Sequence, residues 1–111
     1  TKWQFSLAAD ERNRLKGGEI ARLVLGHTLQ GELQPDRQPA ILQIAPDGTA
    51  GFRTMTRMLT ETGYVDRDLL CEQSENMFGR SVCGPVYKRS DAASKGYTFV
   101  NASKVFHFSV K

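Results

Sequence analysis

Apolar and polar residues alternate with a period of two along most of this chain, and one stretch switches to a helical period. Trp3, Phe5 and Leu7 alternate with Lys2, Gln4 and Ser6, which suits a half-buried strand or an extended arm. Ala8–Lys16 carries Asp10 and Glu11 early and Arg14 and Lys16 late, the charge order of a short helical turn, and Gly17-Gly18 ends it. Over Gly18–Leu25, Ile20, Leu23 and Val24 fall at i, i+3 and i+4 and so share a face. Glu19 lies in the first turn, and Gly26 stands where a left-handed cap belongs. A helix of about two turns melts when isolated, so this one must dock its apolar stripe.

From His27 onward the pattern predicts strands. Thr28–Leu33 is the first, followed by a Gln34–Pro39 loop with two prolines. Ala40–Ala45 and Thr49–Thr56 flank Pro46-Asp47-Gly48, a strong turn signal. Arg57–Thr60 fits neither period. Glu61–Val65, a turn at Asp66-Arg67-Asp68, and Leu69–Gln73 come next. Ser74–Arg80 is a loop, Ser81–Arg89 a strand, and Ser90–Lys95 a turn. Gly96–Asn101 and Lys104–Val110 form a last hairpin. The fold class expected is mainly β: an antiparallel meander of seven to eight strands forming a small barrel or sandwich, with a short N-terminal helix. The organisation expected is an arm over residues 1–14 and a single domain over 15–111.

Leu69–Tyr87 is the organising stretch. It holds both cysteines, Cys71 and Cys83, each on a short apolar run, with a turn-rich segment between. A structural disulfide across a hairpin is expected, since facing strands approach closely enough when register permits. The alternatives are weaker. A metal site wants further Cys or His at short spacing, and a redox pair usually reads Cys-x-x-Cys. A bridge also favours an oxidising compartment, periplasmic or secreted. A start at Thr1 is what signal removal would leave, but a trimmed fragment would look the same.

Composition narrows the function. The 111 residues suit one domain with a real core. The net charge of +3 comes from scattered basic residues. Arg12, Arg14 and Lys16 sit together, but Asp10 and Glu11 precede them, so a solvated face is favoured over a phosphate patch and no nucleic-acid partner is expected. No stretch is long and apolar enough for a transmembrane helix. No nucleophile elbow, P-loop, dinucleotide fingerprint or zinc-protease motif occurs, so neither catalysis nor a cofactor is expected.

The remaining chemistry is sparse. His27 and His107 could each serve as a general base or haem ligand, but ordinary surface histidines are commoner. Glu61, Asp66, Asp68, Glu72 and Glu75 cluster in sequence. Paired carboxylates could do acid–base work on a glycosidic bond if a cleft held them, although Asp66 and Asp68 read better as turn residues. Calcium binding would need more oxygen ligands than Asp66-Arg67-Asp68 offers. Asn101-Ala102-Ser103 fits the N-glycosylation pattern by chance. Trp3, Phe5, Phe78 and Tyr97 could face a partner, and Trp3 and Phe5, near a free end, are the best candidates for partner binding.

The run Leu15-Lys16-Gly17-Gly18-Glu19-Ile20-Ala21-Arg22-Leu23-Val24-Leu25-Gly26-His27-Thr28-Leu29-Gln30-Gly31 resembles the opening of small exported α-proteobacterial β-domain proteins of unknown function. Those run Leu-x-Gly-x-Glu-Ile, an apolar helix, Gly-x-Thr and a further Gly. The likeness continues through Pro46-Asp47-Gly48-Thr49, Gly63-Tyr64, the two cysteines and a final hairpin, and covers Leu15 to Val110. Tyr64 replaces the family's usual Trp, the Cys71–Cys83 spacing is long, and the arm is extra. The resemblance implies a compact periplasmic β-domain and says little of activity. Three functions follow as expectations. The first is a non-catalytic protein-binding or accessory subunit of an envelope complex. The second is a carrier with a calycin-like cup for a small apolar ligand. The third is an enzyme using His27 or His107.

Overall fold

The computed structural model describes residues 11–74, 80–89 and 96–111. After a 3-10 turn at Glu11–Asn13 comes α1 (Gly17–Val24). Nine strands follow among the described residues: β1 (His27–Gln34), β2 (Gln38–Ile44), β3 (Thr49–Thr54), β4 (Met58–Asp66), β5 (Leu69–Ser74), β6 (Ser81–Gly84), β7 (Val86–Lys88), β8 (Tyr97–Val100) and β9 (Val105–Val110). They form one antiparallel sheet in the order β6-β5-β4-β3-β2-β1-β9-β8-β7. The expected mainly β meander with one short helix is what the chain forms, as a nearly closed barrel.

The count is nine, against seven to eight expected, because the stretch read as one strand over Ser81–Arg89 breaks at Pro85. The segment before the proline pairs with β5, Leu70 facing Gly84 and Gln73 facing Ser81. The segment after it pairs with β8, Val86 facing Phe99. Proline lacks the N–H that a continuous ladder would need. The two halves lie at opposite ends of the strand order yet are joined by one residue, and that junction curls the sheet round. Gly84 makes the junction possible. A Cβ there would collide with the carbonyl of Val100 and touch Asn101. The Val100 N–H donates to the Pro85 carbonyl at 3.2 Å.

Other boundaries moved for local reasons. Met58–Thr60, ambiguous by period, opens β4: Met58 pairs with Arg53 and points outward, so its apolar character misleads. Pro39 lies inside β2 near its start, where a missing N–H is best tolerated. Gly26 and Gly48 adopt φ of +81° and +95°, as the helix cap and the Pro46-Asp47-Gly48 turn require. Asp47 Oδ1 accepts from the Thr49 N–H at 3.0 Å, and that bond holds its carboxyl below the usual range.

Alternate residues fill the interior. Leu29, Leu42, Ile44, Ala50, Phe52, Leu70, Val86, Phe99, Phe106 and Phe108 form one buried cluster with Ile20 and Val24 of the helix. The rings of Phe52 and Phe106 meet edge-on at 6.1 Å, and Phe106 stacks on Phe108 at 5.3 Å. Helix α1 lies across the end of the barrel where the β2–β3 and β4–β5 turns sit. The Gly17 N–H donates to Asp68 Oδ1 at 2.7 Å, and the Gly26 N–H to the Ile44 carbonyl at 2.8 Å. Its Ile20 and Val24 are fully buried there, which is the docking its short length demanded.

Arg14 makes a β-bridge to Tyr87, and the Leu15 N–H donates to the Val86 carbonyl at 2.9 Å. Residues 14 and 15 thus cover the edge of β7 that β8 does not.

Candidate functional site

The cysteines are where the hairpin reading put them. Cys71 faces Cys83 across β5 and β6, and the two are bonded. Both point away from the interior, since their neighbours Leu70, Glu72 and Gly84 face it. Tyr64 lies beside Cys71 in the same outward row and donates its hydroxyl to Ser81 Oγ at 2.6 Å.

The unexpected feature lies inside. Glu61 on β4 and Glu72 on β5 both point into the barrel, 5% and 4% exposed. A carboxylate so buried must be paired and hydrogen-bonded. Glu72 is: Lys104 Nζ approaches its Oε1 and Oε2 at 2.7 and 2.8 Å, and Asn101 Nδ2 donates to Oε1 at 3.0 Å. The Lys104 ammonium also sits 4.0 Å above the centre of the Phe52 ring, a cation–π position. Asn101 is held by its other end. Its Oδ1 accepts from the N–H groups of Ser103 and Lys104 at 2.8 and 3.0 Å and from Ser103 Oγ at 2.9 Å. The Asn101-Ala102-Ser103 triplet therefore has a structural cause: it is the side-chain-stabilised turn between β8 and β9.

Among the described residues Glu61 has no cation of its own. Burial first, then the hydrogen bond to Glu72 and the charge on Glu72, push its carboxyl up to about 8, after Lys104 has offset part of the rise. At neutral pH Glu61 holds its proton and donates it to Glu72. Ser74, which faces Glu61 across the β4–β5 ladder, is 8% exposed, and its Oγ has no hydrogen-bond partner.

The position of this cluster matters more than its composition. Strand β6 has no ladder to β8, so a seam runs between β6 and the β8–β9 turn. Glu72 sits on β5, beyond β6, and its carboxylate reaches the turn on the far side. Beyond the Val100 N–H bond to the Pro85 carbonyl at the corner, side chains close the seam.

The space beside Glu61 and Glu72, lined also by Leu42, Ile44, Leu70 and Phe99, measures about 10 Å³. That is room for at most a single water. No substrate can lie between these carboxyls, which contrasts with the cleft that acid–base work on a glycosidic bond requires.

A second feature lies on the outer face. Gln30, Ile41, Arg53 and Met58 form one row across β1, β2, β3 and β4. A groove of about 250 Å³ runs beside it, lined by Gln30, Pro39, Ile41, Arg53, Thr54 and Met55 among others. Met55 and Met58 are 80% and 70% exposed, unusual for methionine. Arg53 and Arg57 are exposed, and among the described residues no ion pair or side-chain hydrogen bond engages either guanidinium.

The other candidates stay apart. His27 begins β1 and is exposed. His107 faces Glu32, five residues further along β1, or about 17 Å at strand rise. The His107 Nδ1 lies 2.7 Å from Thr98 Oγ1, and burial, then the charge of Arg89, hold the imidazole below its usual value. That Thr98 is itself buried, so the pair presents no accessible nucleophile. Asp68 caps α1 and Asp66 ends β4, the turn roles expected of them. Trp3, Phe5, Glu75 and Phe78 lie outside the described residues. Among the described residues there is no cluster of three or more potential metal ligands and no helix long and apolar enough to cross a membrane.

No family model, no curated protein and no solved structure matches this chain. Its function has to be read from the barrel itself.

Proposed function

We propose that this chain is a non-catalytic binding domain of the bacterial envelope, and that the groove beside Met55 and Met58 receives a segment of another protein. The observation that carries the reading is the pairing of two almost fully exposed methionines with a concave outer surface. Methionine adapts its shape to an incoming side chain, and solvent-facing methionines cluster where partners dock. The chemistry of the groove selects the occupant. Its ionised lining residue is Arg53, the Arg57 carbonyl accepts from the N–H of the lining Thr54, and no carboxylate lines the groove. The complement is a short segment with one or two apolar side chains next to an acidic residue. The Cys71–Cys83 bridge and the resemblance to exported α-proteobacterial β-domains support the envelope as the setting. The carrier reading lacks comparable support, because the interior space beside the glutamates is water-sized.

A photo-reactive residue at position 55 or 58, activated in periplasm, tests the proposal. The expected result is a discrete adduct on an acidic-apolar segment of one protein, abolished by Arg53→Glu and absent when the probe stands at Gln43, an exposed position on β2. Adducts equally abundant from both positions, or none from 55 and 58, would contradict it.

A further inference from the structure

We propose that the Glu72 cross-link is a proton-operated latch on the seam between β6 and the β8–β9 turn, shut while Glu61 carries its proton and released when that proton leaves. Three features of the geometry carry this. The seam has no backbone ladder, so the Glu72 contacts with Asn101 and Lys104 span it in place of one. Both contacts end on residues 101 and 104 of one short turn, so their loss frees a single element. An alternative arrangement is already prepared: the buried, unpartnered Ser74 Oγ faces Glu61 across the β4–β5 ladder and can donate to it.

The charge count explains the switching. With Glu61 neutral, one carboxylate faces one ammonium, and the Glu61 proton lies in a hydrogen bond to Glu72. When Glu61 ionises, two buried carboxylates compete for Lys104, and the bond between them is lost. Glu61 takes up Ser74 as a donor, Lys104 is shared between two carboxylates, and the turn is left on a weakened Lys104 tie and the single Asn101 hydrogen bond, so it opens more readily. Glu72 on β5 and Lys104 at the β8–β9 turn are the charged groups facing Glu61. Around it β3 presents Ala50, β2 presents Leu42 and Ile44, and β8 presents Phe99, none able to supply a second cation. Burial and Glu72 place the titration near physiological pH. Opening exposes the interior at Phe52 and Phe99, which lie beneath the Lys104 ammonium.

Amide hydrogen exchange of the intact, disulfide-bonded protein between pH 5 and 9, corrected for intrinsic rates, tests the latch. The amides of Val82, Cys83, Gly84 and residues 101–104 are expected to lose protection by about tenfold per pH unit up to about pH 8 and then level. They should do so while β2 and β3 amides exchange far more slowly. In Glu61→Gln the seam amides should show no such fall. In Ser74→Ala the fall should persist at reduced amplitude, because the open arrangement loses its donor. An unchanged pH dependence in Glu61→Gln would overturn the proposal. So would seam amides that exchange at the same rate as those of β2 and β3, which would tie the proton to global unfolding alone.

Discussion

Replacing Lys104 with methionine is the sharpest perturbation of the interior. Methionine keeps an unbranched stem against Phe52 and removes the charge. What remains is Glu72, 4% exposed, with hydrogen bonds from Asn101 and the Glu61 carboxyl but no cation. Breaking a buried ion pair from one side costs about 3–5 kcal/mol, because the surviving charge is left uncompensated. Loss of the cation–π contact with Phe52 at 4.0 Å adds a smaller amount, on the order of 1 kcal/mol. For a domain of this size, a loss of about 4 kcal/mol lowers the melting temperature by about 15–30 °C. Urea unfolding at pH 7 with the disulfide intact measures it directly. The partner experiment is Lys104→Met with Glu72→Gln: glutamine keeps an acceptor for Asn101 and carries no charge, so the double variant should recover at least about 2 kcal/mol of the single variant's loss. A Lys104→Met protein within about 1 kcal/mol of the parent at pH 7, or a double variant as costly as the sum of the singles, would refute the idea that these groups form one buried unit.

Two further predictions follow from the same structure. Glu61 in the folded state holds its proton to about pH 8, while the unfolded chain releases it near 4.5, so folding stability should decline between those values by at most about 5 kcal/mol, and Glu61→Gln should abolish this decline in a pH series of urea melts. Replacing Cys71 and Cys83 by serine opens a loop of sequence separation 12 and should cost about 3 kcal/mol on the chain-entropy model, read as a lower urea midpoint.

Much of the architecture was legible because it is written locally. The Pro46-Asp47-Gly48 turn, the i, i+3, i+4 stripe of Ile20, Leu23 and Val24, and the alternation of Phe106, Phe108 and Val110 each occupy a few consecutive residues. The cysteines were legible because a hairpin brings residues on neighbouring strands face to face. Strand β4 was blurred at its start because Met58 faces solvent, and the Gly84-Pro85 corner was hidden inside a continuous apolar run. The interior cluster was not legible as a unit. Glu61 and Glu72 stood out as members of an acidic group, but nothing local says that they face inward. Their partners Asn101 and Lys104 lie 29 and 32 residues from Glu72 in the chain. Only closure of the barrel brings them together. The Asn101-x-Ser103 turn was a usable signal, since an asparagine two residues before a serine in a hairpin loop suggests a side-chain-capped turn. Setting the triplet aside as a chance glycosylation match passed that signal over.

The central claim is that a glutamic acid, still carrying its proton at neutral pH, sits inside this barrel against a paired carboxylate. Side-chain carboxyl carbon NMR of the glutamate-labelled protein, titrated from pH 4 to 10, tests it most directly. One glutamate signal should remain at its protonated position at pH 7, move near pH 8, and vanish in Glu61→Gln. If every glutamate in the folded protein has ionised by pH 6, the interior described here is wrong.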